Sequence, residues 1–136
     1  MTTSTVVYIG KLQTELKHTK SGQIIVTDAP VDNNGKGAFF SPTDLCATSL
    51  ASCMLTIMGI KAESMGVDLG RIDVEVYKIM AAAPRRISEI KLNVRVAGNY
   101  TEADMKTIET AGRNCPVAKS LHPDLIQTID VVWMGE

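Results

Sequence analysis

Aromatic side chains are scarce in this chain of 136 residues, with two Phe, three Tyr and one Trp, whereas methionine occurs seven times. An interior made from such a sequence has to rely on aliphatic and thioether groups, which fill space without imposing ring geometry. Metal-ligand spacing is missing too: there is no Cys-x-x-Cys and no His-x-x-x-His, and His18 and His122 are far apart. A structural zinc site is therefore disfavoured, and no cofactor is expected. A basic surplus is absent as well, since 14 basic and 15 acidic residues leave a net charge of -1. Without such a field there is little counterion release to drive binding, so nucleic acid is not an expected partner. The start MTTSTVVYIG lacks a basic stretch followed by an apolar one. A secretory leader is not expected, and a cytoplasmic location follows by default.

What is present fits one domain, residues 1–136, long enough to bury roughly two-thirds of the surface its unfolded form exposes. The three cysteines, Cys46, Cys53 and Cys115, form an odd set. That suits a reducing compartment better than a secreted disulfide framework.

Residues 5–16 alternate loosely, and Ser21-Gly22 separates them from GQIIVTDAP, which predicts an antiparallel hairpin. VDNNGKGAFF carries Asn33-Asn34-Gly35 and Gly37 and reads as a loop. SPTD then opens a helix: Ser41 as N-cap, Pro42 at the first helical position and Asp44 at the third, near the positive end of the macrodipole. Gly66 is its natural stop, for a helix of about 24 residues. Leu45 to Ile60 is a 16-residue run without charge. A membrane span needs about 20 predominantly apolar residues, and this run includes Thr48, Ser49, Ser52 and Thr56. The expectation is a helix buried in protein, not in a membrane.

RIDVEVYKIM and ISEIKLNVRVAG each alternate with period two, and Pro84-Arg85-Arg86 joins them as a second hairpin. Thr101 with Asp104 at the third position caps a helix running to about Gly112. Pro116 opens a short helix over residues 117–121, and DLIQTIDVVWM is a last strand. The order gives an α+β fold with mostly antiparallel sheets.

The thiols have different surroundings. Cys46 and Cys53 share a helix face at i and i+7 but stand roughly 10 Å apart along the axis, beyond disulfide reach. For Cys53, deep in an apolar helix, the plain reading is a small buried hydrophobe. Cys115 lies in Arg113-Asn114-Cys115-Pro116, at a helix start beside a guanidinium, where a thiolate is favoured. The equally weighted reading is a poor N-cap packed inward.

The pairing of SPTDLCATSLASC with a later GRNCPVAKSLHP resembles the OsmC/Ohr family of osmotically inducible and organic hydroperoxide resistance proteins, in an SPTDL-type branch. The resemblance spans nearly the whole chain. It implies an OsmC-like fold with a long buried central helix, and an intertwined homodimer with sites where the two chains meet. It also implies that Cys53 attacks the peroxide and that Cys115 closes a disulfide reopened by a thiol reductant. The activity so implied is that of an oxidoreductase acting in oxidative stress, a peroxidase for small apolar hydroperoxides. Two positions depart from the family pattern. Where its well-studied peroxidases have an acid ten residues before the reactive cysteine, this chain has Thr43, with Asp44 next to it. It has no arginine before Arg71, so a supporting cation from the early strands or loop would be a lysine, with Lys36 the candidate. The competing expectation is a dimeric binding or sulfur-sensing module that keeps the fold without turnover.

Overall fold

The computed structural model describes residues 1–135. The chain falls into two compact units, Met1–Cys46 and Ala47–Glu136.

The first unit is a three-stranded antiparallel meander, β1 (Ser4–Gly10), β2 (Gln13–His18) and β3 (Ile24–Asp28), in the order β1-β2-β3. The hairpin expected over residues 5–16 and 23–30 is thus three strands, because the chain reverses at Lys11-Leu12. Both residues are left-handed, with φ of 54° and 64°. A tight hairpin turn requires this of its two central residues, and Asn-Gly usually supplies it. Lys-Leu carries no such signal, so the turn was invisible in the sequence. Asp28 closes the following loop. Its amide donates to the carbonyl of Phe40 at 3.1 Å, and its Oδ2 accepts from the amide of Ala38 at 3.1 Å. Asp28 is 1% exposed, and its Oδ1 has no hydrogen-bond partner among the described residues. The loop opens with one 3₁₀ turn, Val31–Asn33, and carries Lys36 exposed.

Helix α1 (Pro42–Ser64) begins where the sequence places it. Asp44 N donates to Ser41 Oγ at 3.0 Å and Ser41 N donates to Asp44 Oδ2 at 3.0 Å, a reciprocal capping box. It ends before Gly66, whose φ of 70° is the left-handed stop.

In the second unit, β4 (Ile72–Ala81) pairs antiparallel with β5 (Arg86–Val96), and β6 (Ile126–Trp133) joins β5 on its other edge in parallel. Among the described residues three of the four strand pairings are antiparallel, as expected of this α+β fold. A parallel neighbour needs a crossover. It is supplied by α2 (Glu102–Arg113) and α3 (Pro116–Ser120). Thr101 caps α2, its hydroxyl accepting from Asp104 N at 3.1 Å.

The registers align Val76 with Leu92 and Ile129, and Val74 with Val94 and Val131. These rows form the sheet's contribution to a core that also holds Ile108 of α2 and Ala47, Leu50, Ala51, Met54, Met58 and Ala62 of α1. The α1 residues recur at helical spacing and make one buried stripe. By length and composition α1 could cross a membrane, but this stripe identifies it as the core helix of the second unit. The opposite face is not covered by the single chain, and Ser52, Thr56 and Ile60 remain exposed.

Candidate functional site

The second unit brings Cys53 of α1 and Cys115 together. Two packing features account for it. The first is the close approach of α2 to α1 at Gly112, where a Cβ would stand 2.6 Å from Met58 Cγ and 3.1 Å from Met54 Cγ. A hydrogen in place of a methyl is what permits the contact. The second is the break between α2 and α3, where Asn114 N and Cys115 N donate to the carbonyls of Ala111 and Gly112 at 3.2 Å each. Three residues after Gly112 the chain therefore delivers the Cys115 side chain into the core, where it is fully buried beside half-buried Cys53.

Cys115 is the N-cap of α3, and its sulfur accepts from Ala118 N at 3.4 Å. Its thiol is nevertheless held above the ordinary value. Burial is the main cause; the amides of Ala118 and Val117 pull the other way, while a hydrogen bond and charge repulsion from Cys53 add to the rise. The expectation of an acidic thiol at Cys115 is corrected here, for two reasons. Helix α3 is only five residues long. The Arg113 guanidinium is occupied elsewhere, donating from Nε to Glu109 Oε2 at 2.9 Å and from Nη2 to the Ile129 carbonyl at 2.9 Å. The reading of Cys115 as an inward-packed N-cap describes it better. Cys53 thus lies close enough to Cys115 to interact with its thiol.

The other residues singled out in the sequence lie in the first unit. Asp44 is engaged in the capping box, and Thr43 Oγ1 is hydrogen-bonded to Ser41 Oγ at 3.2 Å. Lys36 is on the exposed loop closed by Asp28. Cys46 is half-buried.

Sequence reasoning missed several packing contacts of the second unit. Gly112 reads as a helix stop, yet it lies within α2 as a packing contact. The Tyr100 hydroxyl donates to the Ala97 carbonyl and accepts from Gly70 N, both at 2.7 Å, and its ring meets Trp133 edge to face at 5.4 Å. The scarcity of aromatics was the only available hint that these two had a structural task. Among the described residues no group of three or more His, Cys, Asp or Glu is placed to hold a metal.

Residues 35–129 match the family model described as OsmC-like protein. In the solved structures, the chain is similar to a Psychrobacter arcticus 273-4 protein provisionally described as an osmotic stress induced and detoxification response protein. That likeness has 51% identity, a TM-score of 0.92 and coverage of 97% of this chain and 96% of the other. It shares its fold with an organic hydroperoxide resistance protein OsmC from Legionella pneumophila (14% identity, TM-score 0.72, 96% and 97% covered). It likewise shares it with an organic hydroperoxide resistance protein from Elizabethkingia anophelis (17% identity, TM-score 0.69, 98% and 97% covered). No curated protein matches the chain. The matched span, more than half of the chain, and the half-identical relative along nearly its full length together establish that this protein belongs to the OsmC-like family.

Proposed function

We propose that the protein is a thiol-dependent peroxidase that reduces organic hydroperoxides through Cys53 and Cys115. The observation that carries this reading is the placement of the buried Cys115 thiol close enough to half-buried Cys53 for the two groups to interact. A protein that only binds a ligand has no chemical need of two thiols in contact inside its core. The Cys53 thiolate attacks the terminal oxygen of R–O–O–H. The O–O bond breaks, RO⁻ leaves and takes a proton to become the alcohol, and Cys53 is left as a sulfenic acid. The Cys115 sulfur then attacks the Cys53 sulfur. Attack is by the Cys115 thiolate, formed by prior loss of its proton to solvent; the S–O bond breaks, the departing hydroxide takes up a proton from solvent as water, and a disulfide forms. Two electrons from a thiol reductant return both thiols, which suits a reducing, cytoplasmic setting.

The apolar surroundings of Cys53, among them Met54, Leu55 and Ile57, favour a greasy peroxide over hydrogen peroxide. Thr43 and Asp44 fix the start of the helix that carries Cys53. Consumption of a dithiol with cumene hydroperoxide and with hydrogen peroxide tests the reading. The organic peroxide should be turned over at least about tenfold faster, as loss of a few buried apolar contacts implies for the smaller oxidant. Equal rates, or none with either, would reject it.

The protein is further proposed to act as a homodimer. In the first unit apolar side chains are bare on both faces of the meander: Val6, Val7, Tyr8 and Ile9 along β1, and Ile24 and Ile25 on β3. Alternate residues of a strand point to opposite faces, so four consecutive exposed apolar residues cannot be covered from one side. A second copy of the chain is the proposed cover. Sedimentation at micromolar concentration should show a dimer, and a folded monomer there would sink this part of the proposal.

A further inference from the structure

The second unit also holds a cavity of about 520 Å³, formed where the β4–β5 turn faces the segment joining α3 to β6. The volume is in the range of small-molecule sites. Ile87 and Leu125 line it and also pack against the apolar cluster that encloses both thiols, so its floor is apolar. Its rim is polar. Arg86 donates from Nη1 to the carbonyls of Ala82 at 3.2 Å and Pro84 at 2.8 Å, which fixes the plane of the guanidinium within the turn. Nε and Nη2, the edge that offers two parallel N–H groups, make no hydrogen bond among the described residues. His122 accepts from Asp124 N at Nδ1, at 3.0 Å, so the neutral ring carries its proton on Nε2 and can donate from there. The Asp124 carboxylate stands 3.9 Å from Nδ1 and is 92% exposed, where water screens it.

An oriented guanidinium edge is the partner of a planar oxyanion, which it grips through two hydrogen bonds. The apolar floor beneath it calls for a hydrocarbon portion on the same molecule. We propose that this cavity is a binding site for a medium-chain monocarboxylate, with its head on Arg86 and its tail along Ile87 and Leu125. Nothing in the site depends on peroxide turnover, so it stands or falls separately from the peroxidase reading.

The test is titration of the full, reduced protein with octanoate, followed by calorimetry and by methyl NMR, with methyl octanoate as the uncharged control. Octanoate should bind saturably, one per chain, and shift the Ile87 and Leu125 methyls, while the ester binds at least about tenfold more weakly. Arg86→Gln should weaken octanoate by a similar factor and Arg86→Lys by less, because a point charge replaces the fork. Asp124→Asn should tighten it about twofold, since a neighbouring like charge is removed. Because Arg86 also holds the turn, the unliganded methyl spectrum of each variant checks that the cavity persists. Equal affinity for acid and ester, wild-type affinity in Arg86→Gln, or shifts confined to other methyls would overturn the proposal.

Discussion

Cys53→Ser is expected to bring hydroperoxide-dependent thiol consumption down to the buffer rate, the largest effect of any single substitution proposed for this protein. A serine hydroxyl is far too weakly acidic to attack an O–O bond without a strong base beside it. Cys115→Ser should behave differently. The peroxide would still be cleaved once, but Cys53 would have no internal thiol to condense with. Mass analysis should then find it advancing to the sulfinic acid, with catalytic turnover lost. Since burial holds the Cys115 proton, the disulfide-forming step requires that proton to leave first. Below the raised value the thiolate fraction grows about tenfold per pH unit. The lifetime of the Cys53 sulfenic acid in a single-turnover experiment should therefore shorten steeply from neutral to mildly alkaline pH. If Cys53→Ser retained activity, or if the lifetime were flat with pH, the assigned roles would be wrong.

The second large effect is expected at Gly112. In Gly112→Val the new side chain meets Met58 Cγ, Met58 Sδ and Met54 Cγ, all within about 3.1 Å of where even a Cβ would sit. Met58 and Met54 are themselves fully buried, so they have little room to yield. Overpacking of this kind costs about 1–3 kcal/mol and moves backbone. The backbone that moves is α2, three residues ahead of Cys115. Denaturant unfolding should show the stability loss, and thiol mapping after mild oxidation should show a slower Cys53–Cys115 disulfide than in the wild type. A variant that keeps both its unfolding midpoint and its rate of disulfide formation would refute the role given to this contact. Gly112→Ala, which brings only one methyl against the same two methionines, should do the same more weakly.

Where the chain announces its elements with strong local chemistry, sequence reasoning finds them. The Ser41-Pro42-Thr43-Asp44 start of α1, the Thr101 cap of α2 and the alternation in β4 and β5 are all of that kind. Local preference and tertiary structure agree there. The β1–β2 turn was hidden because Lys11 and Leu12 take up a conformation that their side chains disfavour. The parallel placement of β6 was hidden for another reason, since strand direction depends on where the intervening helices return the chain. At the candidate site, both cysteines could be proposed from the sequence, but the surroundings of Cys115 could not. A helix start beside an arginine suggested easy ionisation, whereas burial and the engagement of Arg113 by Glu109 and Ile129 decide otherwise. Desolvation is a property of the packed core, and no local motif encodes it.

The bare meander of the first unit has a consequence for how the protein is made. Its strands leave the ribosome before the second unit does, and Val6 to Ile9 with Ile24 and Ile25 stay uncovered within the single chain. Sheet edges and apolar faces of this kind recruit any neighbouring strand, correct or not. With a second copy as the proposed cover, synthesis becomes a race between pairing, which slows as chains become rare, and clumping, which worsens as unpaired chains accumulate. Soluble yield in a producing cell should depend less on the fold's own stability than on how quickly two newly made chains meet.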